Sequence, residues 1–159
     1  AWGEAGDMIT AVKAGQSFRM GANDIIESVP KEGMLKPNGM ILGLPNLRKI
    51  LTADGRESWV YDKLMGRTII PEYIHPAKVF QRCIQSLARD IIGEHLLQVA
   101  KRYNVLMTVH DELVMLCSDE EVEDCVSYVE QCMTTAPLWC CDLPLACEIG
   151  VGDNYMDAK

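Results

Sequence analysis

The sequence predicts an α+β fold, with helices and antiparallel strands segregated along the chain. Three observations carry that expectation. Apolar residues recur at helical spacing near residues 2–13, 79–102 and 118–133. Short apolar runs broken by Gly, Pro and Asn fill residues 16–76. Two five-residue apolar runs, 105–109 and 113–117, flank the polar triplet His110-Asp111-Glu112, the pattern of a β-hairpin with a charged tip. The 159 residues suffice for one domain with a real core. A hydrophobic share of 48% and a charged share of 24% are ordinary for a globular chain.

Taken in order, Trp2, Ala5, Met8, Ile9 and Val12 form one apolar face, and Gly15 ends that helix. Residues 16–37 predict short irregular strands and a loop. Pro37-Asn38-Gly39 turns the chain into an apolar run at 40–44, and Asp54-Gly55 precedes Trp59-Val60-Tyr61. These two runs are expected as strands of a small antiparallel unit joined through 46–58, with 63–76 as loop. The long helix from Val79 to about Arg102 carries Phe80, Cys83, Ile84, Leu87, Ala88, Ile91, His95 and Val99 on its apolar face. Its other face gathers Lys78, Gln81, Arg82, Gln85 and Arg89 into a basic and amide stripe. After the hairpin, Ser118 with Glu121 reads as a capping box. The helix it opens turns Val122, Cys125, Val126, Val129, Cys132 and Met133 inward. Pro137 stops it, 143–149 predicts a last strand, and 150–155 is turn-rich.

The bulk chemistry narrows the function. Seven cysteines, an odd number, come without a secretory leader, which favours a reducing, intracellular setting. Cys83, Cys125 and Cys132 sit at apolar helical positions, where a thiol packs as a small hydrophobe. No apolar run approaches a membrane span, so no membrane partner is expected. The net charge of −8 argues against gripping nucleic acid by bulk charge. It suits an enzyme with an acidic metal site and local basic groups. Adjacent carboxylates at the hairpin tip call for a cation, and oxygen donors match a hard divalent one. The long-helix stripe has the chemistry of a nucleic-acid track, with Lys and Arg for phosphates and Gln for base edges.

Two stretches together carry a family resemblance. Gln85-Ser-Leu-Ala-Arg-Asp-Ile-Ile92, followed about a dozen residues later by Leu106-Met-Thr-Val-His-Asp-Glu-Leu-Val114, resembles the C-terminal palm of family A DNA polymerases, the bacteriophage type above all. Leu35-Lys-Pro-Asn-Gly39, Pro45-Asn-Leu-Arg48, Trp59-Val-Tyr-Asp62 and Gly152-Asp-Asn-Tyr155 fit the same pattern. The resemblance implies an antiparallel palm-like sheet with a catalytic hairpin, packed against long helices on one face. It implies that residues 1–159 are a C-terminal palm portion, with remnants of the fingers-to-palm connection at 1–35. It further implies DNA-templated DNA synthesis with two Mg²⁺ ions, acting on primer–template DNA and dNTPs, in the host cytoplasm if phage-encoded. Asp111 and Glu112 become the catalytic and metal-binding carboxylates. His110 contacts the primer terminus, Gln85 reads the minor groove, and Lys78, Gln81 and Arg82 line the same path.

Departures from the family pattern are Pro76-Ala77 for the usual glycines, Gln81-Arg82 for Glu-Asn, Tyr155 for Trp and Lys159 for His. The family's second catalytic Asp, in an Asp-Tyr-Ser context, and its Lys/Tyr fingers helix have no match in the sequence. The chain, which does not begin with Met, is therefore expected to be a piece or processed product that is incomplete as a catalyst by itself. It would need the N-terminal palm, fingers and thumb. Two rival readings stand beside this one. A degenerate palm would only bind DNA or a partner chain. An HD-type metal phosphohydrolase would use His75, His110-Asp111 and Asp153, with its His-Asp pair on a helix.

Overall fold

The computed structural model describes residues 2–158, which fall into two compact units divided between Leu87 and Ala88. The fold is α+β with antiparallel strands, as expected, but among the described residues the strands form three separate sheets and not one.

The first unit begins with α1, Trp2–Ala14. Ala5, Met8, Ile9, Ala11 and Val12 are buried along one face. The larger of these side chains, Met8, Ile9 and Val12, each contribute roughly 1.5–3 kcal/mol when removed from water. Gly15, at φ +72°, takes the left-handed conformation that stops a helix. Strands β1 (Arg19–Met20), β2 (Ile26–Val29), β3 (Gly33–Leu35) and β4 (Ile41–Gly43) then make a four-stranded sheet in sequence order. Ser28 is buried here and latches the entry loop: its hydroxyl donates to the Gln16 carbonyl at 2.7 Å and accepts from the Phe18 N–H at 2.8 Å.

The second sheet holds the largest departures from expectation. It comprises β5 (Arg48–Leu51), β6 (Glu57–Met65) and β7 (Thr68–Ile74) in that order. The runs at 40–44 and 59–61 do not pair with each other. β4 pairs with β3, and β6 pairs with β5, which lies inside the expected connector. The reason is the turn at 52–56, where the Thr52 N–H bonds the Arg56 carbonyl and the Gly55 N–H bonds the Thr52 carbonyl, closing a hairpin on the spot. Residues 68–74 are likewise strand, not loop. Gly66, at φ +61°, helps close a two-residue turn between Met65 and Thr68. Pro71, opposite Asp62, is tolerated because β7 is an edge strand. Asn46 and Arg48 both donate to the Asp62 carboxylate, at 2.9 and 2.7 Å, and hold it below its usual pKa. The unit's core is Met8, Ile9, Val12, Met34, Leu44, Val60 and Val79, each at most 1% exposed.

Helix α2, Pro76–Val99, begins in the first unit and ends in the second. Its buried residues are Val79, Cys83, Leu87, Asp90, His95 and Val99. Phe80, Ile84 and Ala88, expected on the apolar face, are exposed. Helical periodicity names a face wider than the seam that packs.

In the second unit Val99, Tyr103, Cys125 and Val129 form the core, joined by Val105, Leu113, Met115, Tyr128, Cys132 and Met133. The Tyr103 and Tyr128 rings lie 5.8 Å apart, with the Arg102 guanidinium 5.3 Å from each. Strands β8 (Asn104–Val109) and β9 (Glu112–Leu116) make the third sheet. The expected capping box does not form: the Ser118 hydroxyl donates to the Glu121 carboxylate at 2.8 Å and caps no backbone N–H, a single 3₁₀ turn follows it, and α3 runs Val122–Thr134. His95 and Glu94 of α2 reach the following segment, His95 Nε2 lying 3.0 Å from the Thr135 carbonyl and Glu94 accepting from the Trp139 indole at 2.8 Å. The strand expected at 143–149 is absent. That run is irregular, with no ladder partner among the described residues, and Pro144 removes one of its donors.

All seven cysteines are free among the described residues. Burial pushes the Cys83 and Cys125 thiols up to about 11, which makes them inert packing groups. No described helix is long and apolar enough to cross a membrane.

Candidate functional site

The hairpin tip is built by its turn. Val109 pairs with Glu112, so His110 and Asp111 alone are the loop, and Glu112 already belongs to β9. The sequence places all three at the tip; the ladder takes in the third. His110 sits at φ +54°, a left-handed conformation that His adopts more readily than most residues. The pairing is irregular between Val105 and Met107, a bulge of the kind that bends and twists a ribbon. His110, Asp111 and Glu112 are all exposed.

Two contacts at the tip lie outside the sequence reading. The Arg89 guanidinium donates to the His110 carbonyl at 3.2 Å. Arg89 belongs to the predicted stripe, yet here a cation of that stripe grips the turn's backbone. The Tyr155 hydroxyl donates to Glu112 Oε2 at 2.8 Å. Nothing local marks Tyr155, because 43 residues separate the partners.

In the first unit, Lys78, Gln81, Arg82 and Gln85 line a single cleft of about 430 Å³. The stripe thus forms one wall, as its spacing implies. Its cations are not all open to solvent. Lys78 pairs with Glu72 at 2.5 Å, and Lys63 pairs with the other oxygen of the same carboxylate at 2.7 Å. Glu72 escapes sequence reasoning because 63–76 reads as loop, whereas β7 carries it across to β6 and α2. The Arg82 guanidinium lies 4.7 Å from the Tyr61 ring centroid, and its Nη1 is buried without a hydrogen-bond partner among the described residues.

The two lysines, Lys63 first, hold the Glu72 carboxyl down to about 2 from an ordinary 4.5. A pKa depressed on folding stabilises the folded state above the unfolded value, and that contribution is lost as pH falls from about 4.5 towards 2. Glu72→Gln should therefore lower the melting temperature at pH 6 and leave it close to wild type near pH 2. Thermal melts across that window check it. Parallel curves for the two proteins would contradict the paired geometry.

Asp111 and Glu112 supply oxygen donors only, the chemistry a hard divalent cation prefers. Among the described residues no group of three or more His, Cys, Asp or Glu is placed to hold a metal. The tip therefore fits such an ion in donor type and falls short in donor number. His110-Asp111 lies in a hairpin turn and not on a helix, which removes the context an HD-type hydrolase requires.

Residues 78–157, half of the chain, match the family described as DNA polymerase family A. The chain belongs to that family. The match takes in nearly all of α2, the hairpin, α3 and the tail that carries Tyr155. The chain is also similar to the thermostable DNA polymerase I of Thermus filiformis, 30% identical over 114 residues, which is 68% of this chain and 13% of that relative. It thus spans only a small part of the relative's length. No solved structure matches the chain. Enzymes of family A generally use a divalent metal.

Proposed function

We propose that this chain is the C-terminal palm portion of a DNA-directed DNA polymerase of bacteriophage type, with residues 1–35 continuing the connection from the fingers. Its work is templated nucleotidyl transfer on primer–template DNA with dNTPs, inside the cell. One observation supports this above others: a single family match runs through both the stripe-bearing helix and the His110-Asp111-Glu112 hairpin.

In this reading Asp111 and Glu112 hold divalent cations, two Mg²⁺ in the complete enzyme. When bound, these supply Lewis acidity and charge neutralisation for in-line phosphoryl transfer. His110 contacts the primer terminus. Gln85 and Gln81 present amide donors to minor-groove acceptors, and Arg82 and Lys78 meet phosphates. Arg89 steadies the turn through its bond to the His110 carbonyl. With a net charge of −8, this chain's own contribution to DNA affinity rests on these local groups and weakens as salt rises. The second carboxylate strand and the nucleotide-holding fingers helix belong to the remainder of the polymerase, since the present residues contain neither pattern.

Gln85→Ala in the full-length polymerase tests the groove assignment. One lost base-edge contact is worth roughly 1–3 kcal/mol, so primer–template affinity by fluorescence anisotropy should fall about tenfold, with dNTP affinity unchanged. A primer–template Kd within twofold of wild type would remove Gln85 from the DNA path.

A further inference from the structure

We propose that Tyr155 is the positioning residue for Glu112, fixing the direction of that carboxylate at the hairpin tip. The inference rests on the polymerase reading and adds to it a role for the chain's tail. Glu112 opens β9 at an exposed position. A glutamate there has three rotatable bonds and loses that freedom when it is held for a ligand. The Tyr155 hydroxyl donates to Glu112 Oε2 at 2.8 Å. A phenol brings only two side-chain torsions, and the Tyr155 ring is half-buried, so the donor is already ordered when the carboxylate meets it.

The tail around Tyr155 is folded to present it. The Asn154 carbonyl accepts from the Asp157 and Ala158 N–H groups at 3.2 and 3.1 Å. The Asn154 side-chain oxygen accepts from the Met156 N–H at 3.0 Å. Gly150 and Gly152 make the turn possible, because a Cβ on either would strike the backbone at 157–158. The hydroxyl therefore comes from a closed turn, and that turn needs both glycines. A carboxylate that ligates a metal is commonly held by such an outer partner, whose loss lowers metal affinity about 10–100-fold.

The test uses the full-length polymerase with Mn²⁺ alone as probe, followed by electron paramagnetic resonance, alongside single-turnover incorporation. Tyr155→Phe keeps the ring and removes the donor. It should weaken Mn²⁺ binding about tenfold and lower kcat more than it raises the KM for dNTP. Gly152→Ala, which leaves the hydroxyl present but displaces the turn, should reproduce that pattern. In a Glu112→Gln background Tyr155→Phe should add nothing, the signature of two groups acting as one. Unchanged Mn²⁺ affinity in Tyr155→Phe, or an equal loss with and without Glu112, overturns the positioning role. Asp111→Asn in the same series separates the two layers. If it too leaves Mn²⁺ binding and incorporation intact, the polymerase reading has failed; if it abolishes them while Tyr155→Phe does nothing, only the role of Tyr155 has.

Discussion

Asp111→Asn in the complete polymerase should lower single-turnover nucleotide incorporation by roughly 10³-fold or more. A bound divalent ion contributes several kcal/mol of charge stabilisation to the transition state, and about 1.4 kcal/mol corresponds to each decade of rate. Asn keeps the shape and a carbonyl oxygen but loses the charge that holds the ion. Asp111 is exposed in a two-residue turn and contributes nothing to the core, so the melting temperature should stay at the wild-type value. Rapid chemical quench with a labelled primer measures the rate, and a thermal melt reports the fold. A rate within tenfold of wild type, in a folded protein, would transfer the chain to the class of palms that bind without reacting.

Gly33→Ala should be the most damaging single methyl in the first unit, costing roughly 2–5 kcal/mol from strain and overpacking together. Gly33 is buried, lies at φ +151° and pairs with Gly43 in the β3–β4 ladder. An added Cβ would strike the Leu42 carbonyl and crowd Gly43 Cα, both backbone atoms that cannot swing aside. Relief requires β4 to leave the sheet. Gly39→Ala is the comparison, since Gly39 also has positive φ, at +81°, but open space around its Cβ position. Only conformational strain applies there, about 1 kcal/mol. Denaturant midpoints for the two variants separate the effects. Equal costs would mean that the close approach of the two strands is not real.

Those same strands show where sequence reading stops. Helices α1 and α2 and the hairpin at 104–116 were legible because their signals are local: a 3.6-residue period, a stop glycine, and two apolar runs about a polar turn. Sheet partners were not. Arg48-Lys-Ile-Leu51 has no apolar–polar alternation strong enough to mark a strand, and only the turn at 52–56 makes it one. Pro71 made 68–74 look like loop, because a proline is acceptable in a strand only if that strand is at an edge, and edges are a property of the whole sheet. The candidate site divides in the same way. The stripe lies within one helical run, 78–89, and the triplet is three consecutive residues, so each could be read by itself. Glu72 beside Lys78 and Tyr155 on Glu112 arise from folding that brings distant residues together. At 143–149 the error ran the other way, since an apolar run suggests a strand but cannot supply its partner.

Helix α2 has a consequence for how the protein comes apart. The division between the units falls inside it, between Leu87 and Ala88. A chain cut there would leave two stubs of about 12 residues, a length at which an isolated helix is marginal in water. Each stub would hold its helical shape only through packing within its own unit, where Val79, Cys83 and Leu87 are buried on one side of the cut and Asp90, His95 and Val99 on the other.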